Sequence, residues 1–169
     1  VLDRIFLEYS EKELRRLLSR IEDCVTRLSG EQIWMRGSDN ENAIGNLVLH
    51  LAGNVRQWIV SGVGGQPDVR MRDREFAARG GATAGELLAG LRSAVEDAAG
   101  ILHTVTADRL EQRTTVQKYD VTVLEAIAHV VEHFAMHTGQ VIFATKMLTG
   151  EDLGFYRHLS APAHREPTP

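Results

Sequence analysis

An all-α fold, a four-helix bundle with a long crossover between its second and third helices and a short C-terminal cap, is what this sequence predicts. Three observations carry it. Apolar residues recur at helical rather than alternating spacing along four runs of about twenty residues or more. Glycines and side-chain caps bracket those runs. The strand-like stretches, 69–71 and 113–119, are too brief to build a sheet of their own.

The first run, residues 3–28, repeats Leu7, Leu14, Leu17, Ile21 and Leu28 on one face, with Gly30 as its stop. The second spans 43–62, with Asn42 as N-cap and Gly62-Val-Gly-Gly as terminator. The third starts at Thr83, where Thr-Ala-Gly-Glu86 reads as a capping box, and continues to about residue 105. The fourth runs from about 122 to 148 and ends at Gly150. Such helices bury their apolar stripes by packing into a bundle. About twenty residues separate the second run from the third, enough to return along a helix of ~30 Å, so these two helices can lie parallel. The stretch Leu153-Gly-Phe-Tyr-Arg-His158-Leu reads as a short cap packed by Phe155 and Tyr156, and residues 160–169 as a frayed tail. Residues 1–169 read as one domain, without repeats or linkers.

Composition narrows the function classes. Apolar residues make up 43% and charged residues 25%, so the chain is globular and can bury a core without disulfides. The formal net charge of −4 leaves no basic excess to neutralise phosphates, which argues against a nucleic-acid binder. Only Lys12, Lys118 and Lys146 among 19 basic residues are lysines; we read this as genome bias and give Arg-rich 70–74 little weight as an anion site. The single cysteine, Cys24, falls on the apolar face of the first helix and reads as a buried structural thiol. No apolar run reaches the ~18 residues of a membrane span and no signal-peptide pattern is present, so a cytoplasmic location is expected.

The chemistry-bearing pattern is His133-Phe-Ala-Met-His137-Thr-Gly-Gln140. Histidines four apart project from one helix face, ~6 Å apart along the axis, within reach of one metal ion at ~2.0–2.1 Å from each nitrogen. Two satisfied core or surface histidines are the competing reading. The second helix carries Asn46, His50 and Asn54 at i, i+4, i+8 beside the apolar Leu47, Leu51, Val55 and Trp58. A polar stripe at a bundle's core needs partners, because a buried unpaired group costs ~1–3 kcal/mol. His50 is therefore the expected third ligand. Gln140, Asn54 and His129 are expected around the three: Gln140 orienting a ligand or water, His129 a supporting donor, alternate ligand or solvated rim residue. His103, His158 and His164 fall outside both stripes. Three neutral imidazoles suit Zn²⁺ or Ni²⁺, and an open position marks a catalytic site. The inverted zincin pattern His129-Val-Val-Glu132-His133 is present but strands His137.

Asn46-Leu-Val-Leu-His50-Leu-Ala-Gly-Asn54 together with the His133–Gln140 segment resembles the DinB-like (YfiT-type) metalloprotein superfamily, across essentially the whole chain. The ending Glu151-Asp-Leu-Gly-Phe155-Tyr156 resembles a subfamily of unassigned function. The resemblance implies an up-down-down-up bundle, usually a homodimer, with a divalent metal on His50, His133 and His137. It also implies thiol S-transfer, since characterised relatives use low-molecular-weight thiols as cosubstrates. A non-catalytic, stress-related metal- or ligand-binding dimer is the alternative, and a metal-dependent hydrolase a further one. No residue is committed as nucleophile or proton shuttle; Ile5 and Phe6 on the first helix are candidates for a dimer contact, with core packing the commoner use of such residues.

Overall fold

The computed structural model describes residues 1–160. The expected frayed tail and His164 lie outside the described residues. Helix α1 (Leu2–Val25) presents Leu7, Leu14, Leu17, Leu18 and Ile21 to the core at helical spacing. Gly30 does not stop it: the chain leaves the helix at Thr26, and Gly30 opens a short helix, α2 (Gly30–Trp34). Ser29 caps α2, because its hydroxyl accepts from the Gln32 amide while the Gln32 side chain accepts from the Ser29 amide.

The second bundle helix starts as α3 (Ile44–Val55) and continues as a π-helical segment (Arg56–Val63), where an uninterrupted α-helix is the sequence expectation. The π-helical ladder reaches its end at Gly64, whose amide donates to the Ile59 carbonyl at 2.9 Å. Ala43, not Asn42, occupies the N-cap, because Asn46 one turn in accepts from the Ala43 amide at 3.1 Å and supplies the capping acceptor. A short helix, α4 (Arg72–Ala77), lies inside the crossover; Thr83 and Glu86 then form the expected capping box of α5 (Ala84–Leu102).

After α6 (Ala107–Glu111), strands β1 (Arg113–Val116) and β2 (Tyr119–Thr122) pair antiparallel as a hairpin. The expectation that 113–119 cannot make a sheet fails here. Gln117 and Lys118 both take positive φ (51° and 71°), the tight turn whose twist matches the flanking strands. Stretch 69–71 forms no strand. Helix α7 (Val123–Thr149) is capped by Thr122 and ends at left-handed Gly150.

Cross-helix contacts give the topology. Glu11 meets His103 and Arg15 meets Glu96, so α1 and α5 are antiparallel. Arg56 donates to the Gly90 carbonyl while Gly64 abuts Ile101, so the second and third bundle helices are parallel. His50 faces His133, and Trp58 faces His129, so α3 and α7 run oppositely. The order is up-down-down-up, with α1 and α3 each packed on both α5 and α7. Cys24 is fully buried, as expected, and burial pushes its thiol pKa up. Phe6 is half-buried against the core and Ile5 is exposed. The Arg20 guanidinium sits over Phe155 and Tyr156, holding the C-terminal cap against α1. No helix of the described residues is long and apolar enough to cross a membrane.

Candidate metal centre

Helix α3 delivers His50 and helix α7 delivers His133 and His137 to one point between the helices. One nitrogen from each of the three lies within 4.8 Å of the other two, and His50 Nε2 is 2.9 Å from His133 Nε2. Their neighbours select the tautomers. His137 Nδ1 donates to Gln140 Oε1 at 2.7 Å, leaving Nε2 with its lone pair free. His50 Nδ1 donates to Glu75 Oε2 at 3.0 Å, which does the same for His50. Arg70 Nη2, also 3.0 Å from His50 Nδ1, donates instead to Glu75 Oε2 at 2.8 Å. With the His50 lone pair on Nε2, His133 Nε2–H donates to it at 2.9 Å, and a cation between the two nitrogens would replace that proton. Tetrahedral coordination at ~2.0–2.1 Å places ligand nitrogens ~3.3–3.4 Å apart, so the trio needs only small side-chain adjustments to hold an ion.

Electrostatics favour neutral imidazoles. His133 is pushed down to about 3, first by burial and then by the neighbouring His137, His50 and His129. Burial lowers His137 as well. His133 and His137, both held toward the neutral form, fit a divalent cation, since ligating imidazole must be neutral.

Glu75 is the residue that sequence reasoning missed. It lies on α4, 25 residues from His50, and no spacing rule links a crossover helix to an α3 histidine. Burial raises its pKa, but hydrogen bonds from Arg70 and His50 outweigh that and hold the carboxyl below its ordinary value. Arg70, discounted from composition, is a buried partner instead: its side chain is 3% exposed and grips Glu75 through Nε–Oε1 at 2.7 Å as well. Two features bring α4 here. Asn46 donates to the Glu75 and Ala78 carbonyls at 2.7 and 3.0 Å, so the first residue of the polar stripe pins the crossover. Gly53 leaves room for the carboxylate, because a Cβ there would lie 2.0 Å from Glu75 Oε1.

The other expected residues separate. Gln140 touches His137. His129 and Asn54 are not in the three-histidine cluster; both line a cavity of about 420 Å³ that opens beside His50 and His133. His129 lies between Trp58, which it meets at a tilt (centroids 4.2 Å apart), and His133, on which it stacks (5.5 Å). Arg70, Arg72, Tyr119 and Val121 complete much of the wall. Glu132 is exposed, away from the cluster, so the inverted zincin reading loses its acid. His103 pairs with Glu11 at 2.7 Å on the far helix pair.

The sequence matches the family model described as protein of unknown function (DUF1572) over residues 2–165. Among curated proteins, none matches. A conserved protein from Enterococcus faecalis has a similar solved structure, with a TM-score of 0.74 at 15% identity over 85% of this chain and 97% of that one. A DinB-like protein, YjoA from Bacillus subtilis, aligns with a TM-score of 0.66 at 15% identity, covering 88% of this chain and 97% of that one. At such identities the likeness shows a shared DinB-like fold.

Proposed function

Because the chain belongs to the DUF1572 family, whose description carries no activity, we propose a function from the site: a divalent cation held by His50, His133 and His137 serves transfer of a low-molecular-weight thiol to an electrophile. One observation carries this reading. Three imidazoles converge beside a cavity large enough for a small substrate, with no fourth metal-ligating side chain in the cluster among the described residues. When bound, a Zn²⁺ or Ni²⁺ ion at this site supplies Lewis acidity that lowers the pKa of a thiol reaching the open position.

The chain's own residues do the rest. Glu75 fixes the His50 ring and its tautomer, and Arg70 holds Glu75 in place. Gln140 does the same for His137. Trp58, Tyr119 and Val121 line the cavity in which the reacting pair would sit. In the reaction the thiol loses its proton to solvent and its sulfur bonds the electrophilic carbon. The leaving group departs with the bonding pair. No protein thiol takes part, since Cys24 is buried in the core. Exposed Met136, Phe143 and Met147 on α7 offer a face on which a second copy would pack, in keeping with the proposed homodimer.

The test is metal content per chain by mass spectrometry on untagged protein, followed by conjugation assays with several small thiols and a reactive halide. The expected result is near one ion per chain, lost in His50→Ala, with metal-dependent conjugation. Metal without conjugation would favour a non-catalytic binding protein; no metal after reconstitution with zinc or nickel would sink the site.

A further inference from the structure

Resting on the thiol reading above, we propose that the cavity beside His50 is a subsite for a secondary amide carried by the small-molecule substrate, with Asn54 and Trp58 as its recognition residues. The second bundle helix turns both side chains into the wall of that cavity, next to the metal cluster. Each residue is 4% exposed. Asn54 Oδ1 and Trp58 Nε1 are buried with no hydrogen-bond partner among the described residues. Among the described residues the other end of the Asn54 amide also makes no hydrogen bond, so exchanging its oxygen and nitrogen still leaves a buried atom unpaired.

A buried unpaired polar group destabilises the fold, and native proteins keep such groups where something else satisfies them. Here two occur one turn apart, at the onset of the π-helical segment, and both line one cavity. Their chemistry specifies the ligand. The indole N–H can only donate, so it calls for an acceptor oxygen; the carboxamide can both donate and accept, and complements an N–H. A secondary amide offers that oxygen and that N–H on adjacent atoms. The Trp58, His129 and Tyr119 rings, tilted against one another, line the same cavity and offer aromatic surface to a planar group. Arg72 lines the same cavity and suits a substrate that also bears a carboxylate.

N-acetyl-L-cysteine and 3-mercaptopropionate both carry a thiol and a carboxylate, and only the first has an amide. The experiment titrates each into cobalt(II)-loaded protein, following the visible spectrum. It also titrates N-acetylglycine into metal-free protein, following the Trp58 indole N–H by ¹H–¹⁵N correlation, with Trp58→Phe assigning the signal. The expected result is roughly tenfold or stronger preference for N-acetyl-L-cysteine, abolished in Asn54→Leu, and a saturable indole shift with N-acetylglycine. Asn54→Leu should also melt at a higher temperature than wild type, because an unpaired buried amide is removed; a lower melting temperature would mean that Asn54 is structural and overturn the assignment. Equal affinities for the two thiols, both changing the cobalt spectrum, would overturn the amide subsite and leave thiol activation standing. An indole shift without any cobalt response to either thiol would support the subsite and remove the thiol reading. No indole shift at all would overturn the subsite.

Discussion

Glu75 shows how one side chain sets the properties of a neighbour on another element. Its carboxylate is held by Arg70 on one side and accepts from His50 on the other, so it fixes which His50 nitrogen faces the other two histidines. Glu75→Gln should therefore weaken zinc binding about 10–100-fold in chelator competition. It should also destabilise the metal-free protein by about 3–5 kcal/mol in denaturant titration, because Arg70 is left buried without its counter-charge. His133 adds a pH dependence. Its folded pKa is about 3, below the ordinary value of 6.5, so between those values the unfolded chain binds more protons. Stability of the metal-free protein should be level in this respect above pH 6.5 and fall as the pH drops toward about 3. His133→Gln should flatten that part of the profile, as followed by urea midpoints across the range.

At the scale of elements, the crossover does more than connect two parallel helices. It lies across α3, fastened by Asn46 to its backbone and by Trp34 Nε1 to the Ala82 carbonyl at 3.0 Å. Gly53 lets the Glu75 side chain of α4 lie directly against α3. Gly53→Ala should raise the intrinsic preference of α3 for helix yet lower the melting temperature, since the new methyl group displaces the Glu75 carboxylate. Zinc affinity should fall with it; a higher melting temperature with unchanged affinity would show that the carboxylate has room to move. The hairpin is the other element that shapes the site, contributing Tyr119 and Val121 to the cavity wall.

For the whole molecule, core and site are separable. Phe134, Ile127, Val130, Leu51 and Val55 are fully buried without involving the three histidines. His137→Ala should keep its helical circular dichroism while losing tight metal binding. Zinc at a hundred times its dissociation constant should stabilise the wild type by about 2.7 kcal/mol, and the variant by far less, in thermal melts. A variant that unfolds would instead make the ion a structural requirement.

Local pattern was enough to determine the four bundle helices, the Thr83 cap, the Gly150 stop and the two histidine stripes, because periodicity and capping depend on residues within a few positions. The π-helical segment, the Ser29 cap and the 113–122 hairpin were less legible. A π-helix keeps an apolar face that looks α-helical, and Gly30 looks like a stop whether a helix ends before it or starts at it. In the site, the candidate trio was legible because each stripe repeats every four residues. The Arg70–Glu75–His50 chain was not, because it depends on where a twenty-residue crossover lands once α3, α5 and α7 have packed. Burial of a charge pair beside a histidine is a property of three-dimensional proximity, and only the tertiary structure could decide it.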